Sequence, residues 1–310
     1  MIAVLSGGVG AARLLEGLVE VVDPSSITAV VNVGDDLELH GLSVSPDLDT
    51  ITYTLSGEQN PETGWGLANE SWRTIDALGV FGAETWFRLG DRDLGTHLYR
   101  TGRLRDGATL SQVTREVARR FGLTITLVPV TDDPLRTVLT LADGDDVAFQ
   151  EYFVKLGHAV AVSAVRFDGA NEARPAPGVI ELLESAECIV IAPSNPIVSI
   201  GPILAVPGIA PILERRRDAV VAISPIVGGR ALKGPADRLL VELGGEASVG
   251  GVASVLSPFA GTLVIDRLDA ALAVSVEAEG MACVVTDTVM STPGVAASLA
   301  AVALAAGRRA

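Results

Sequence analysis

Met1-Ile-Ala-Val-Leu-Ser-Gly-Gly-Val-Gly-Ala-Ala-Arg13 decides the fold. The run from Ile2 to Leu5 is apolar and β-branched enough for a buried strand. Glycines 7, 8 and 10 interrupt it, and a helical pattern follows over residues 11–21. With a second strand expected over 27–33, the chain opens on a βαβ unit. Glycines permit the tight turn and let backbone N–H groups approach phosphate oxygens, while the helix N-terminus adds a favourable dipole. The turn from Ser6 to Arg13 therefore points to a phosphate-bearing nucleotide. Arg13 stands where a dinucleotide fingerprint wants a small residue, and no closing Gly-Lys-Ser/Thr makes a Walker A loop. Taken alone, the turn is also compatible with a purely structural role.

Outward from that unit, strand-like runs alternate with helical ones. Further strands are expected over 85–89, 124–128, 189–192, 219–223, 262–265 and 283–286. Helices are expected over 110–121, 178–184, 208–216, 236–243 and 294–306. This alternation predicts an α/β, Rossmann-like, three-layer parallel sheet with right-handed crossovers. Residues 137–167 read differently, with β-rich runs at 137–141, 147–154 and 160–165 and a turn at Asp143-Gly-Asp145. The expected organisation is a nucleotide-binding core over 1–136 and 168–310, with 137–167 an inserted, lid-like subdomain.

Composition narrows the function classes. The 310 residues are 48% hydrophobic but 4% aromatic, so Ala, Val, Leu, Ile and Gly supply the core, as in buried parallel sheets. A net charge of −15 argues against sequence-independent nucleic-acid binding. No apolar run approaches the ~20 residues of a membrane span, and no basic, long-apolar signal peptide opens the chain. Cys188 and Cys283 lie in apolar runs without metal-ligand spacing and read as buried small hydrophobes. A cytoplasmic protein is the expectation.

Four strand-end segments carry candidate chemistry. Gly7, Gly8 and Gly10 form the first. The second runs from Val33 to Asp49, where Asp35, Asp36, Asp47 and Asp49 bring carboxylates close to an anion-binding turn. Carboxylates beside phosphates repel unless a hard cation such as Mg²⁺ lies between them, although each Asp is also an ordinary turn acid. The third, Pro193-Ser-Asn-Pro196, caps a helix and offers Ser194 and Asn195 for hydrogen bonding. The fourth, Ser224 to Asp237, joins Gly228 and Gly229 to Arg230 and Lys233, cations in an otherwise acidic chain. Arg88 to His97 mixes charge and glycine after another expected strand; His97 and His40 are open to a role as base or, more commonly for a lone histidine, as structural partner, and His158 reads as structural. Trp65 and Trp72 flank Asn69 and Glu70 and are open to lining a flat pocket or to core packing.

Together, Leu5-Ser-Gly-Gly-Val-Gly10, Asn32-Val-Gly-Asp-Asp36, Ser45-Pro-Asp-Leu-Asp-Thr50, Leu89-Gly-Asp-Arg-Asp93, Pro193-Ser-Asn-Pro196 and Ser224 to Pro235 resemble one family across nearly the whole chain. It is the transferase family of coenzyme F420 biosynthesis, called 2-phospho-L-lactate transferase in archaea and phosphoenolpyruvyl transferase in mycobacteria. The resemblance implies a Rossmann-like homodimer that moves a phosphoenolpyruvyl or 2-phospholactyl group from a guanosine diphosphate conjugate. The acceptor is the ribityl hydroxyl of the deazaflavin Fo, and GMP leaves. It implies Fo contacts at Asp49 and Arg88; the mechanism this suggests would place Mg²⁺ on some of Asp35, Asp36 and Asp49 and have one carboxylate, Asp36 or Asp49, take the proton of the attacking hydroxyl. Gly7, Gly8, Gly10, Ser194, Asn195, Gly228, Gly229 and Lys233 would face the guanosine diphosphate. Archaeal members often carry Lys at the position of Arg88, which keeps the charge and changes the geometry.

Two rivals stand against this reading. A nucleotide-sugar-binding regulator of the same fold, similar to gluconeogenesis and cell-shape factors, needs a glycine- and serine-rich run after the paired Asp; Leu37-Glu-Leu-His-Gly41 follows here. A nicotinamide-dependent oxidoreductase needs an acidic residue closing the second strand, and Asn32 stands there. The Ala- and Val-rich composition, with Arg ahead of Lys, suggests a high-GC actinobacterial member and hence the phosphoenolpyruvyl donor.

Overall fold

A computed structural model describes residues 1–62 and 64–307. Strand β1 (Ile2–Ser6) leads through Gly7 into helix α1 (Gly8–Val21), and β2 (Ile27–Val31) returns parallel to β1. A hairpin of β3 (Leu37–Leu39) and β4 (Leu42–Val44) then precedes helix α2 (Pro46–Leu55). Helices α3 (Arg73–Val80), α4 (Asp93–Arg105) and α5 (Leu110–Arg120) lead to β5 (Thr126–Pro129). Next come β6 (Arg136–Leu141), β7 (Asp146–Ala148) and β8 (Val162–Asp168). The second half adds β9 (Cys188–Ile191), β10 (Val220–Ile223), the short hairpin β11 (Ile226–Val227) and β12 (Arg230–Ala231), then β13 (Thr262–Asp266) and β14 (Ala282–Thr286).

The central sheet has seven strands in the order β14-β13-β10-β9-β1-β2-β5, and every neighbouring pair is parallel. Helices flank it, giving the α/β Rossmann-like fold that the opening βαβ unit predicted. Strands β1, β2, β9, β10 and β13 are buried at every position, which explains their nearly continuous apolar runs. Each Val, Leu or Ile side chain so buried contributes about 1.5–3 kcal/mol of transfer free energy. Helix α1 packs on the C-terminal helix Val295–Gly307 so closely that a side chain at Gly17 would collide with the backbone of Ala296. Among the described residues, no single helix is long and apolar enough to cross a membrane.

The lateral order in which the chain adds strands reverses at β1. From there β2 and β5 lie on one side, and β9, β10, β13 and β14 on the other. The crevice of such an open sheet opens at this switch point, beyond the carboxyl ends of β1 and β9.

Three expectations differ from the structure. The described residues 85–89 form no strand: Leu89 is buried against Leu39 and Val44 with Phe87 packed beside it, so these side chains cover the β3–β4 hairpin instead of joining a ladder. Of the run 147–154 only Val147 and Ala148 are extended, within β7, and Glu151–Lys155 forms a π-helical turn that buries Tyr152. The segment 34–49, expected as a loop, folds into the hairpin and the first turn of α2. Between 136 and 168, β7, β6 and β8 form a separate three-stranded antiparallel sheet. Its apolar face, with Leu139, Leu141, Phe149 and Tyr152, packs on Val198 and Leu239 of the main body.

Candidate active site

The turn after β1 is locked to the loop after β9. Ser194 Oγ donates to the Gly7 carbonyl at 2.8 Å and lies 3.3 Å from the Gly7 amide, which donates to it. A side chain at Gly10 would strike the Pro193 carbonyl oxygen, so glycine is required there by close approach of the two loops. Asn195 spends its carbonyl oxygen on the Ile197 and Val198 amides, and its buried Nδ2 is left without a protein acceptor.

The acids gather on the opposite wall. Asn32, fully buried at the end of β2, donates to Asp47 Oδ2 at 3.0 Å and accepts from the Gly34 amide at 2.8 Å. Asp47 and Asp49 lie in the first turn of α2, where Pro46 sits at the N-terminus and the helix dipole favours negative charge. Ser45 Oγ donates to Asp36 Oδ2 at 2.7 Å. Asp35 and Asp36 each keep one buried carboxylate oxygen without a hydrogen-bond partner.

Burial dominates the electrostatics of this wall. It pushes the Asp36 carboxyl up to about 7, against the Ser45 hydrogen bond and the charges of Arg100 and Arg136. It raises Asp47 to about 6, against hydrogen bonds from Asn32 and the Gly8 backbone. Asp35 is raised well above the carboxylate range by burial and then by the neighbouring Asp47 charge. Desolvated side by side, these three acids resist ionisation.

Asp49 has a different setting. Arg100, from α4, grips both of its oxygens, with Nη1 to Oδ2 at 3.0 Å. His97 lies one turn earlier, its Nδ1 3.7 Å from Asp49 Oδ2 and its Nε2 3.2 Å from Asp93 Oδ1. Tyr53 donates to Asp93 Oδ1 at 2.5 Å. Burial acts to raise Asp93, but His97, then Tyr53 and Arg100, outweigh it and hold the carboxyl below its ordinary value.

Arg88 joins a second group. Its guanidinium lies 4.8 Å from the Trp72 ring centroid and pairs with Asp76 at 3.2 Å. Trp65 meets Trp72 edge-on at 6.2 Å and is 45% exposed. Lys233 reaches the same loop: a methyl group at Gly64 would lie 2.9 Å from its Nζ. Glu70 caps α4 by accepting from the Arg92 and Asp93 amides, each at 2.7 Å. Helix α4 thus joins the groups, with Arg100 about 10 Å along its axis from Asp93.

Gly228 and Gly229 take positive φ of 59° and 76° in the turn of the β11–β12 hairpin, and the Gly228 amide is taken by Asp269 Oδ2 at 2.9 Å. Their glycine requirement is met by the turn itself. Among the described residues, no group of three or more His, Cys, Asp and Glu side chains is arranged to hold a metal ion.

Sequence reasoning placed Asn32 and Ser45 in motifs but gave them no site role, and it missed Arg100, Arg136 and Thr137. Ser45-Pro46 with two acids behind it is a helix-start signal that would have placed Asp47 and Asp49 on one turn. Nothing local in the sequence ties Arg100 to Asp49.

A glycine turn clamped at the switch point, beside buried carboxylates, marks a Rossmann-like α/β protein with polar groups gathered at the carboxyl edge of the sheet. The family model described as 2-phospho-L-lactate transferase CofD matches residues 2–302, and the chain belongs to that family of transferases. It is 42% identical to a phosphoenolpyruvate transferase of Kitasatospora aureofaciens, over 98% of this chain and 97% of the relative. To a 2-phospho-L-lactate transferase of Methanosarcina mazei it is 37% identical, over 93% and 94%. A crystal structure of a UPF0052 family member from Bacillus halodurans superposes with a TM-score of 0.63 at 17% identity, covering 98% of each chain, and shares the fold.

Proposed function

We propose that this transferase moves a phosphoenolpyruvyl group from a guanosine diphosphate conjugate to the ribityl hydroxyl of the deazaflavin Fo, releasing GMP. The observation that supports it most is the meeting of the Ser194-clamped turn with Asp47, whose Oδ2 would lie 3.0 Å from a methyl group at Gly7 and whose charge acts on the neighbouring Asp35. The reading of the donor rests on full-length relatives, since the actinobacterial one is named phosphoenolpyruvate transferase.

In this reading the N–H groups of the first turn of α1 and the Asn195 amide hold the diphosphate. Lys233 lies at the seam between donor and acceptor loops, where it neutralises charge gathering on the leaving GMP. Arg88 and the two tryptophans receive the flat acceptor ring. Transfer between phosphate esters passes through a loose transition state, so the chain contributes chiefly alignment and charge.

The residues fit Mg²⁺ at Asp35 and Asp36, because each offers a buried oxygen that no protein donor satisfies. Asp49 does not fit as a third ligand, since Arg100 occupies both of its oxygens; its part is to anchor Arg100 beside Asp36 and to face the acceptor. When bound, the ion would neutralise the diphosphate, as Mg²⁺ held by one or two carboxylates does elsewhere. Mixing the purified protein with Fo tests the acceptor half of the reading. A change in deazaflavin fluorescence is expected, and an unchanged spectrum at saturating protein refutes it.

A further inference from the structure

The small sheet β7-β6-β8 reaches into the carboxylate wall through the first two residues of β6. The Thr137 amide donates to the Gly34 carbonyl at 2.7 Å, which ties β6 to the Asp35 loop. The packing is tight: a methyl group at Gly34 would lie 2.6 Å from Thr137 Oγ1 and 3.0 Å from Pro202 Cβ. Arg136, next in the chain, is close enough to Asp36 to oppose the rise in its pKa.

Thr137 is 1% exposed, and its hydroxyl completes no directed hydrogen bond. It sits beside the Asp35 carboxyl, with which it makes at most a weak hydrogen bond. A buried hydroxyl without a partner costs stability, and valine would fill the same space without that cost. Asp35 and Asp36 hold their own unpartnered oxygens on the same wall. Two carboxylates alone leave a hard cation short of oxygen ligands, and a threonine hydroxyl is an oxygen that such ions accept.

We infer that Thr137 supplies a third protein oxygen to a divalent cation held by Asp35 and Asp36, so that the small sheet furnishes part of the metal site. This rests on the diphosphate-and-cation reading above. Titration of Mn²⁺ into the full-length protein with GDP present, followed by electron paramagnetic resonance, tests it without deazaflavin or turnover. Thr137→Val is expected to weaken Mn²⁺ binding by roughly tenfold or more, with a melting temperature no lower than wild type, and Thr137→Ser to restore the affinity. Unchanged affinity in Thr137→Val, no restoration in Thr137→Ser, or no Mn²⁺ bound by the wild type would overturn the inference. So would an earlier melt of Thr137→Val, because the hydroxyl would then be holding the fold. A protein that binds Mn²⁺ in this way yet fails to transfer to Fo would refute the acceptor and leave Thr137 in place.

Discussion

Arg100 reaches back across 51 residues of chain to hold Asp49 by both carboxylate oxygens, with each side chain nearly shut off from solvent. Burying two charges is costly, and the pair repays that cost only while both partners are present. Arg100→Met should therefore destabilise the protein by about 3–5 kcal/mol. Arg100→Met combined with Asp49→Leu should recover most of that loss, because no uncompensated charge remains. Thermal melts of the two single variants and the double variant check this, and a double variant as unstable as the worse single would contradict it.

The Ser194 clamp gives a second expectation. Ser194→Ala removes both hydrogen bonds to Gly7 and should cost about 1–2 kcal/mol of stability. If the turn holds phosphate, the same change should weaken GDP binding by roughly tenfold, the equivalent of about 1.4 kcal/mol. Calorimetric titration with GDP and Mg²⁺ gives the number. Wild-type affinity in Ser194→Ala would show that the turn keeps its shape unaided.

Asp36 makes stability depend on pH in an unusual direction. Burial raises its folded pKa to about 7, above an unfolded value near 3.9, so the folded state binds the proton more tightly. Its contribution is fully present below the unfolded pKa and is lost as pH rises through the folded one. Asp36→Asn should thus melt higher than wild type at pH 8 in chelator, on the order of 1–3 kcal/mol, and the two should converge near pH 4. GDP with Mg²⁺ should reverse the ranking at pH 8, because the wild type alone keeps the ligand carboxylate. Equal melts at pH 8 in chelator would mean that Asp36 ionises freely.

In the proposed reading the aromatic wall takes the acceptor and the Ser194-clamped turn takes the donor. Trp72 lies under the Arg88 guanidinium and takes the edge of Trp65. Stacking of a planar ring on such a surface is worth about 1–3 kcal/mol, so Trp72→Ala should raise KM for Fo by roughly tenfold or more. Affinity for GDP should stay unchanged. Equal losses toward both ligands would assign the tryptophans to packing.

How much of this was legible depended on how locally each feature is encoded. Strands β1, β2, β9, β10 and β13 announce themselves because full burial demands continuous apolar runs. The Ser6 to Arg13 turn is legible because strand, glycines and helix follow one another directly. Residues 85–89 misled because an apolar run that covers a hairpin has the composition of one that joins a ladder. The carboxylates were visible as a cluster, but their inequality was not. Asp49 differs from Asp35 and Asp36 through Arg100, and Asp35 through Thr137, contacts made by chain that lies far away in sequence. Pairings of that kind leave no periodic trace.

The central claim is the group transfer itself, and product mass tests it most directly. The purified protein with Mg²⁺ and Fo should be given guanosine diphosphate esterified at its distal phosphate with enolpyruvate or with lactate, in separate reactions. The expected result is Fo enlarged by the phosphoenolpyruvyl group, with one GMP released per product and the phosphoenolpyruvyl conjugate preferred. Fo recovered unchanged from both reactions, with no GMP formed, would contradict it.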